Sequence, residues 1–136
     1  MQPYFLLVLP LLIIGYTAHQ RRSRSVTAHS ATRGDLNNAT LAALKRAGAN
    51  MRAPTNVVVY LYFDCQRETD QARTELAAMG FSVNIEPPAD GAQWLCQGEK
   101  AIVPTATAIH ELTTRLDAIA DSLHGEFDGW EAEVSR

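Results

Sequence analysis

The segment that most constrains the fold runs from Asn56 to Phe63 and reads NVVVYLYF. Its β-branched and aromatic side chains favour the pleated surface of a β-strand. Because no polar residue interrupts the segment after Asn56, it is typical of a central strand with both faces at least partly covered. The other elements of the chain must therefore pack around this strand.

Apolar residues at helical spacing predict three helices around this strand. Asp35 or Asn37 can cap the first helix and Asp64 the second, because short polar side chains accept hydrogen bonds from the N–H groups at a helix start. The helices are expected to end at glycines, namely Gly48, Gly80 and Gly125. They cover residues 36–47, 65–79 and 105–124, and the third has an apolar face made of Ile109, Leu112, Leu116, Ile119 and Leu123.

Three further segments are predicted strands: residues 81–85, residues 93–103 and a terminal strand after Gly125. An Asp-Gly pair at positions 90–91 predicts a hairpin turn between the first two. We expect Gly98 to break the longer one, since glycine weakens a strand interior. In the terminal strand one face is apolar and the other acidic, with Trp130, Ala132 and Val134 opposed to Glu131 and Glu133.

Without the first helix, the order strand, helix, strand, strand, helix, strand is the split βαβ arrangement of the ferredoxin-like fold. We therefore predict an α+β domain: a four-stranded antiparallel sheet with two helices packed on one face and an extra N-terminal helix. With the usual handedness of both crossovers, the strand order is 4-1-3-2, and the first and third strands pair antiparallel. Cys65 then lies near Trp94 and Cys96. Two free thiols are expected in a cytosolic domain, and a disulfide between Cys65 and Cys96 is the alternative in an oxidising compartment.

Three side chains of the first strand, Val58, Tyr60 and Tyr62, point to the same face of the predicted sheet. The RNA recognition motif has this topology and stacks bases on aromatic residues of its central strands, which makes RNA binding an alternative function. The third strand, however, lacks the basic and paired aromatic residues of that motif. We expect Tyr60 and Tyr62 to pack under the first helix, and we expect no direct nucleic-acid binding.

Charge is distributed unevenly along the chain. Residues 1–33 hold four Arg and no acidic residue, whereas residues 34–136 hold eight Lys or Arg and fifteen Asp or Glu. The predicted domain is therefore acidic. An acidic domain repels phosphate backbones and attracts basic polypeptides, so we expect a protein partner rich in Arg or Lys.

The amino-terminal segment is a candidate membrane anchor. Residues 3–18 carry no charged side chain and consist largely of Leu, Ile, Val and Phe, and Arg21, Arg22 and Arg24 follow them. Because such positive clusters stay in the cytoplasm, the acidic domain is expected to face the cytosol. A cleaved signal peptide and a buried helix are the alternatives. Three divisions are predicted: a single-pass anchor in the inner (cytoplasmic) membrane over residues 1–18, a flexible basic stalk over 19–36, and the domain over 37–136.

No motif in the sequence supports catalysis. The chain lacks a phosphate-binding glycine loop, a zinc-binding HExxH motif and a nucleophile elbow. His110, beside Glu111, is expected to face solvent, and His124 is expected in the last turn of the third helix, where a cation complements the helix dipole. We therefore expect a protein that is not an enzyme and that uses no metal or cofactor.

The string GEFDGWEAEV, from Gly125 to Val134, resembles the C-terminal signature of the regulator of ribonuclease activity B family. Further pieces of the resemblance follow the order found in that family. They are residues 38–48 (NATLAALKRAG), 60–65 (YLYFDC), 76–81 (LAAMGF), Trp94 and residues 103–109 (VPTATAI). The resemblance therefore extends over most of the chain and supports the ferredoxin-like fold.

Members of that family inhibit the endoribonuclease RNase E, and the resemblance implies binding to the basic, largely disordered scaffold region of that enzyme. It implies RNase E, or a similar basic protein segment, as the partner of this chain, and a role as a non-catalytic regulator of RNA decay. The anchor predicted over residues 1–18 would tether that regulator to the inner membrane. The alternative is a membrane-anchored envelope scaffold unrelated to RNA decay. The predicted protein-binding residues are Glu126, Phe127, Asp128, Trp130, Glu131 and Glu133. For Trp130 a position in the core is the favoured alternative, and for the carboxylates the alternative is an ordinary solvated surface.

Overall fold

The computed structural model describes residues 32–89 and 91–135. In that part the elements are α1 (Arg33–Arg46), β1 (Thr55–Phe63), α2 (Gln66–Ala78), β2 (Ser82–Glu86), β3 (Trp94–Ile102), α3 (Ala106–Ser122) and β4 (Glu126–Ala132). The predicted α+β class and the predicted order of elements are confirmed. The anchor predicted over residues 1–18 and nearly all of the stalk predicted over 19–36 lie outside the described residues.

The four strands form one sheet in the order β2-β3-β1-β4, and every neighbouring pair is antiparallel. Both the predicted strand order and the antiparallel pairing of β1 with β3 are confirmed, so the fold is ferredoxin-like. Strand β1 is central because it pairs with β3 on one side and β4 on the other. Alternate side chains of β1 are fully buried beneath the helices: Val57, Val59, Leu61 and Phe63.

Strand β3 runs without a break through Gly98, which pairs with Val59 and Val83. A Cβ at Gly98 would come within 3.0 Å of the Leu76 side chain and 3.1 Å of the Phe81 ring. Glycine therefore lets α2 and Phe81 pack closely on the sheet. The prediction that Gly98 breaks the strand was wrong, because the missing side chain serves packing rather than a bend.

Helix α1 begins earlier than predicted, at Arg33. Thr32 caps it: the Thr32 hydroxyl accepts a hydrogen bond from the Asp35 N–H at 3.0 Å, and the Asp35 carboxylate accepts one from the Thr32 N–H at 3.2 Å. Asp35 thus takes part in a capping box as its third helical residue and is not the cap itself. The last residues of the predicted stalk, from Arg33 onward, are helical.

Helix α2 also begins differently from the prediction. Its N-cap is Cys65, which makes no side-chain capping bond, and Asp64 accepts a hydrogen bond from the Gln93 side chain at 2.9 Å. Asp64 extends towards β3 because the residue before it, Phe63, pairs with Trp94 at the start of that strand. The carboxylate therefore ties two chain segments together instead of capping the helix.

Helix α3 ends at Ser122, so His124 lies beyond the helix and not in its last turn as predicted. His124 adopts a left-handed φ of 58°, and the N–H of Gly125 donates to the carbonyl of Ala120 at 2.8 Å. This is the bonding pattern of a Schellman motif, in which glycine usually takes the left-handed position. Here glycine is needed one residue later, because a Cβ at Gly125 would overlap the ring of Phe63.

The two cysteines are free thiols in the structure. Cys65 is partly exposed, whereas Cys96 is buried on the helix side of the sheet. Burial raises the pKa of the Cys96 thiol to about 11, although the nearby Arg73 lowers it. Cys96 is therefore a core thiol that stays protonated at neutral pH.

Candidate protein-binding face

The two faces of the sheet have different surroundings. In the described part of the chain the helices pack on one face, and the opposite face carries Val58, Tyr60 and Tyr62. Both tyrosines are partly exposed. The prediction that they pack under the first helix was wrong, because α1 packs on the other side of the sheet, against α3.

A buried chain of hydrogen bonds holds α1 in that position. The indole N–H of Trp130 donates to the side-chain oxygen of Asn37 at 2.9 Å, and the Asn37 amide donates to the Thr113 hydroxyl at 2.8 Å. Asn37, Thr113 and Trp130 are at most 4% exposed. Because a buried polar group without a partner is costly, this chain fixes α1 against both α3 and β4.

Arg33 provides a second attachment between the same elements. Its guanidinium donates twice to the Asp117 carboxylate at 3.2 Å and once to the Phe127 carbonyl at 2.9 Å. It also lies 4.4 Å from the centre of the Phe127 ring, a cation–π distance. The first turn of α1 is therefore fastened directly to β4.

Phe127 and Trp130, which were predicted to contact a partner, lie in the hydrophobic core. Each is 2% exposed, and both point to the helix side of the sheet, opposite Leu61 and Val59 respectively. Trp130 therefore occupies the core position that was the favoured alternative for it. Neither ring is available on the surface as an apolar anchor.

The carboxylates of β4 belong to a larger acidic surface on the face without helices. Glu131 lies opposite Val58 on β4, and Glu99 lies opposite the same residue on β3, so the two carboxylates flank β1. Glu133 follows β4 and is exposed. We call this surface the acidic face and define it by Tyr60, Tyr62, Glu86, Glu99, Glu126, Asp128, Glu131 and Glu133.

The strands contribute no positive side chain to the acidic face. Lys100 is the one Lys or Arg within the four described strands. It points to the helix side, where its ammonium donates to the Met79 carbonyl at 2.6 Å and lies 5.7 Å from the centre of the Phe81 ring. The charged side chains that the described strands present on the acidic face are therefore all negative, an arrangement that attracts cations.

A β-bulge in β4 brings two carboxylates to the same tyrosine. The register with β1 shifts by one residue, so that Gly129 lies opposite Tyr60 and Asp128 is the extra residue. Gly129 has φ 150°, which glycine adopts readily. Burial raises the pKa of Tyr62, and the charges of Asp128, Glu86 and Glu126 raise it further. The bulge therefore increases the density of negative charge beside Tyr62.

Tyr60 and Glu131 form a hydrogen-bonded pair on this face. The Tyr60 hydroxyl donates to Glu131 Oε2 at 3.0 Å, and both burial and the Glu131 charge raise the pKa of Tyr60. Burial also raises the pKa of Glu131; the bond from Tyr60 lowers it, and the charges of Glu99 and Glu133 raise it. Glu131 Oε1 is buried and accepts no hydrogen bond within the described part of the protein. A cation bound here would interact favourably with this carboxylate oxygen, because no hydrogen bond from the described residues satisfies it.

Sequence reasoning missed Glu86 and Glu99 as members of this surface. Alternation along the strand is the signal that could have found them. In β2 exposed and partly buried residues alternate, and Glu86 is one of the exposed residues. The sheet order then places Glu86 opposite Leu95, and Leu95 opposite Tyr62. Combining the predicted strand order with a two-residue period would have found both carboxylates.

The described residues offer neither a metal site nor a membrane-spanning helix. Within residues 32–89 and 91–135 no three His, Cys, Asp or Glu side chains are grouped so that they could hold a metal ion. Over the same ranges no helix is both long and apolar enough to cross a membrane. His110 and Glu111 are exposed on α3, on the side of the molecule away from the acidic face.

Comparison with known proteins identifies the family. The model of the family described as regulator of ribonuclease activity B matches residues 34–132 of the chain. That range includes all but the first residue of the structured elements, from α1 to β4. A search of curated proteins found no match. Since the family model covers well over half of the sequence, the chain belongs to the regulator of ribonuclease activity B family.

Proposed function

We propose that the protein regulates RNase E, or a similar ribonuclease, by binding a basic segment of the enzyme on the acidic face. The observation that carries the proposal is the charge of that face, where carboxylates from β2, β3 and β4 meet without a Lys or Arg from the strands. Family membership supports a role in ribonuclease regulation. The role is that of a non-catalytic inhibitor that modulates RNA decay.

The proposed binding residues are the carboxylates and not the rings between them. Glu126, Asp128, Glu131 and Glu133 are kept from the sequence prediction, and Glu86 and Glu99 are added. Arginine is the cation best suited to this surface, because its planar guanidinium binds carboxylates through paired hydrogen bonds and stacks on aromatic rings such as Tyr62. Phe127 and Trp130 are not binding residues in this proposal. Their rings pack in the core and hold β4 in position.

The same face argues against the RNA alternative. Tyr60 and Tyr62, which are partly exposed on the central strand, resemble the stacking surface of an RNA-binding sheet. Each ring, however, has carboxylates as neighbours: Glu131 beside Tyr60, and Asp128 beside Tyr62. These charges repel phosphate groups, whose attraction to basic residues supplies most of the non-specific affinity for nucleic acid.

We further propose that residues 1–18 anchor the protein in the inner membrane, with the acidic face in the cytosol where a ribonuclease can reach it. The proposal rests on the apolar composition of residues 3–18 and on the Arg cluster that follows them. A reporter enzyme fused after Arg136 should be active in the cytosol. A fusion active only outside the cytosol would contradict the ribonuclease partner and favour an envelope scaffold.

The binding proposal is tested with charge reversal on two sides of the molecule. The full chain in nonionic detergent is titrated with the basic scaffold region of RNase E. The double variant Glu99→Lys and Glu133→Lys changes two exposed carboxylates of the acidic face, and the matched control Glu111→Lys and Asp121→Lys changes two exposed carboxylates of α3. We expect the acidic-face variant to weaken binding about tenfold or more, and the control far less, since contact charges dominate over distant ones.

Two further readouts accompany this titration. Binding of the unmodified protein should weaken as salt is added, because charged contacts are screened. Inhibition of RNA cleavage by RNase E should be lost in the acidic-face variant and retained in the control. Equal loss in both variants, or unchanged binding in the acidic-face variant, would remove this face from the interface.

A further inference from the structure

Helix α1 lies outside the unit that defines the fold. The four strands together with α2 and α3 form the complete ferredoxin-like arrangement, and α1 precedes it in the chain. Within the described residues α1 packs against α3, at the side of the helix layer that covers the outer strand β4. Release of α1 therefore breaks no strand pairing and leaves both other helices on the sheet.

Polar side chains make up most of the buried surface of α1. The helix buries Asn37, Thr40 and Leu44, and of these only Leu44 is apolar. By contrast, α3 buries four apolar side chains: Ile109, Leu116, Ile119 and Ala120. Because water replaces a hydrogen bond when two groups separate, Asn37 holds α1 less firmly than a buried leucine would.

The first turn of α1 is attached by contacts that solvent reaches. The side chains of Arg33 and Asp117, which form an ion pair, are 18% and 39% exposed. An ion pair in such a position is screened by water and adds little to stability. The same guanidinium lies over the ring of Phe127. This end of α1 is thus held by contacts that water can replace.

A hinge is present at the other end of α1. Gly48 follows the helix and has a φ of 89°, which glycine adopts without strain. Beyond it the chain is fastened again, because the Asn50 N–H donates to the Ser135 carbonyl and the Thr55 hydroxyl donates to the Glu133 carbonyl. Rotation about Gly48 therefore moves α1 and leaves β1 in place.

We infer that α1 is a hinged cover, which opens as a unit about Gly48 while the sheet, α2 and α3 stay folded. Opening removes Arg33 from the Phe127 ring and Asn37 from the indole N–H of Trp130. The open form thus exposes part of the two aromatic side chains that the closed form keeps in the core. An element with few buried apolar contacts is the kind that opens locally, before the rest of a protein unfolds.

Hydrogen exchange of the full chain in nonionic detergent, followed by NMR, tests this opening. The protection factor of an amide reports the opening that exposes it to solvent. We expect the amides of α1 to share one protection factor, about tenfold or more below that of the β1 and α3 amides. Their exchange should also depend less on urea, because the opening of α1 exposes less surface than global unfolding does.

The indole N–H of Trp130 tests what the opening exposes. In the closed form this group donates to Asn37, so it exchanges with solvent only after that bond breaks. We expect its protection factor to match that of the α1 amides. A protection factor equal to that of the β1 amides would mean that Trp130 stays covered until the domain unfolds, and it would overturn the inference.

Two leucine variants distinguish local opening from global unfolding. Leu76 belongs to α2, which packs on β2 and β3, whereas Leu44 is the buried leucine of α1. Leu76→Ala should lower the protection factors of β1 and α3 about tenfold or more and leave those of α1 unchanged. The matched variant Leu44→Ala should lower the protection factors of α1 by about tenfold.

A loss of α1 protection in Leu76→Ala as large as the loss in β1 would overturn the inference, since α1 would then open only when the whole domain unfolds. If Leu76→Ala does not fold, the urea dependence of the unmodified protein decides: equal dependence in α1, β1 and α3 has the same meaning. These readouts use no partner, so the hinged cover and the proposed function stand or fail separately.

Discussion

The pKa of Glu131, on the acidic face, is subject to opposing effects. Burial raises its pKa, the hydrogen bond from Tyr60 lowers it, and the charges of Glu99 and Glu133 raise it. The net direction is upward, so the folded protein holds the proton at a pH at which the unfolded chain has released it. The ionised form of Glu131 is therefore less compatible with the fold than the protonated form.

The stability of the protein should report this shift. A raised folded-state pKa makes the contribution of Glu131 most favourable at low pH, and the contribution declines as pH rises from the ordinary glutamate value through the folded-state pKa. Glu131→Gln removes the titration. We expect the free energy of unfolding of the unmodified protein, relative to Glu131→Gln, to fall in urea titrations as pH rises above the ordinary glutamate pKa of about 4.3.

The matched control for that comparison is Glu111→Gln, which removes one negative charge from an exposed position on α3. The difference between the Glu131→Gln and Glu111→Gln proteins isolates the environment of the acidic face from the change in net charge. A relative stability of the unmodified protein that rises with pH would contradict the assigned direction.

His124 provides a second residue-scale prediction. Its left-handed φ of 58° crowds a Cβ against the backbone, a strain that glycine does not have. His124→Gly should therefore raise the free energy of unfolding by about 0.5 to 1 kcal/mol, measured by urea denaturation. His110→Gly, in the interior of α3, should instead lower it by about 1 kcal/mol. Equal effects of the two substitutions would show that the backbone conformation is not the cause.

At the scale of elements, the position of α1 decides which face of the sheet is left open. The residues that α1 buries are Asn37, Thr40 and Leu44, of which two are polar. Such a helix has a weak apolar face, so sequence periodicity does not indicate its packing direction. Asn37 instead forms side-chain hydrogen bonds with two residues that are distant in the sequence, Thr113 and Trp130.

Asn37→Ala tests this attachment. The substitution leaves the indole N–H of Trp130 and the hydroxyl of Thr113 without their partner in a buried position. We expect the free energy of unfolding to fall by about 2 kcal/mol or more. Asn38→Ala, at the exposed neighbouring position, is the matched control and should change it by less than about 0.5 kcal/mol. Similar losses in both variants would mean that the buried chain of hydrogen bonds does not hold α1.

The elements with strong local signals were predicted well from sequence. The seven-residue run of β-branched, aliphatic and aromatic side chains after Asn56 identified β1, and the handedness of the crossovers then gave the complete strand order. Features that depend on distant neighbours were not predicted. The close approach of Leu76 to Gly98, the bond from Gln93 to Asp64 and the bulge at Asp128 each involve two segments that meet only in the folded sheet.

At the scale of the whole molecule, composition predicted an acidic domain but not where its charge is concentrated. Glu86 and Glu99 lie far from β4 in the sequence, and only the sheet brings them to the same surface as Glu131. The predicted site therefore contained the carboxylates near β4 that belong to the acidic face, and it omitted those of β2 and β3. It also included two rings that the core requires.

The outer strands of the sheet have a consequence for the behaviour of the protein in concentrated solution. Exposed strand edges invite lateral joining of sheets into fibrils, and natural proteins prevent it with short strands, proline, charge and bulges. Strand β2 has only five residues and is followed by Pro87 and Pro88, while β4 carries carboxylates and the bulge at Asp128. Neither border accepts an additional strand easily, so a basic polypeptide that binds as we propose should lie across the sheet without extending it.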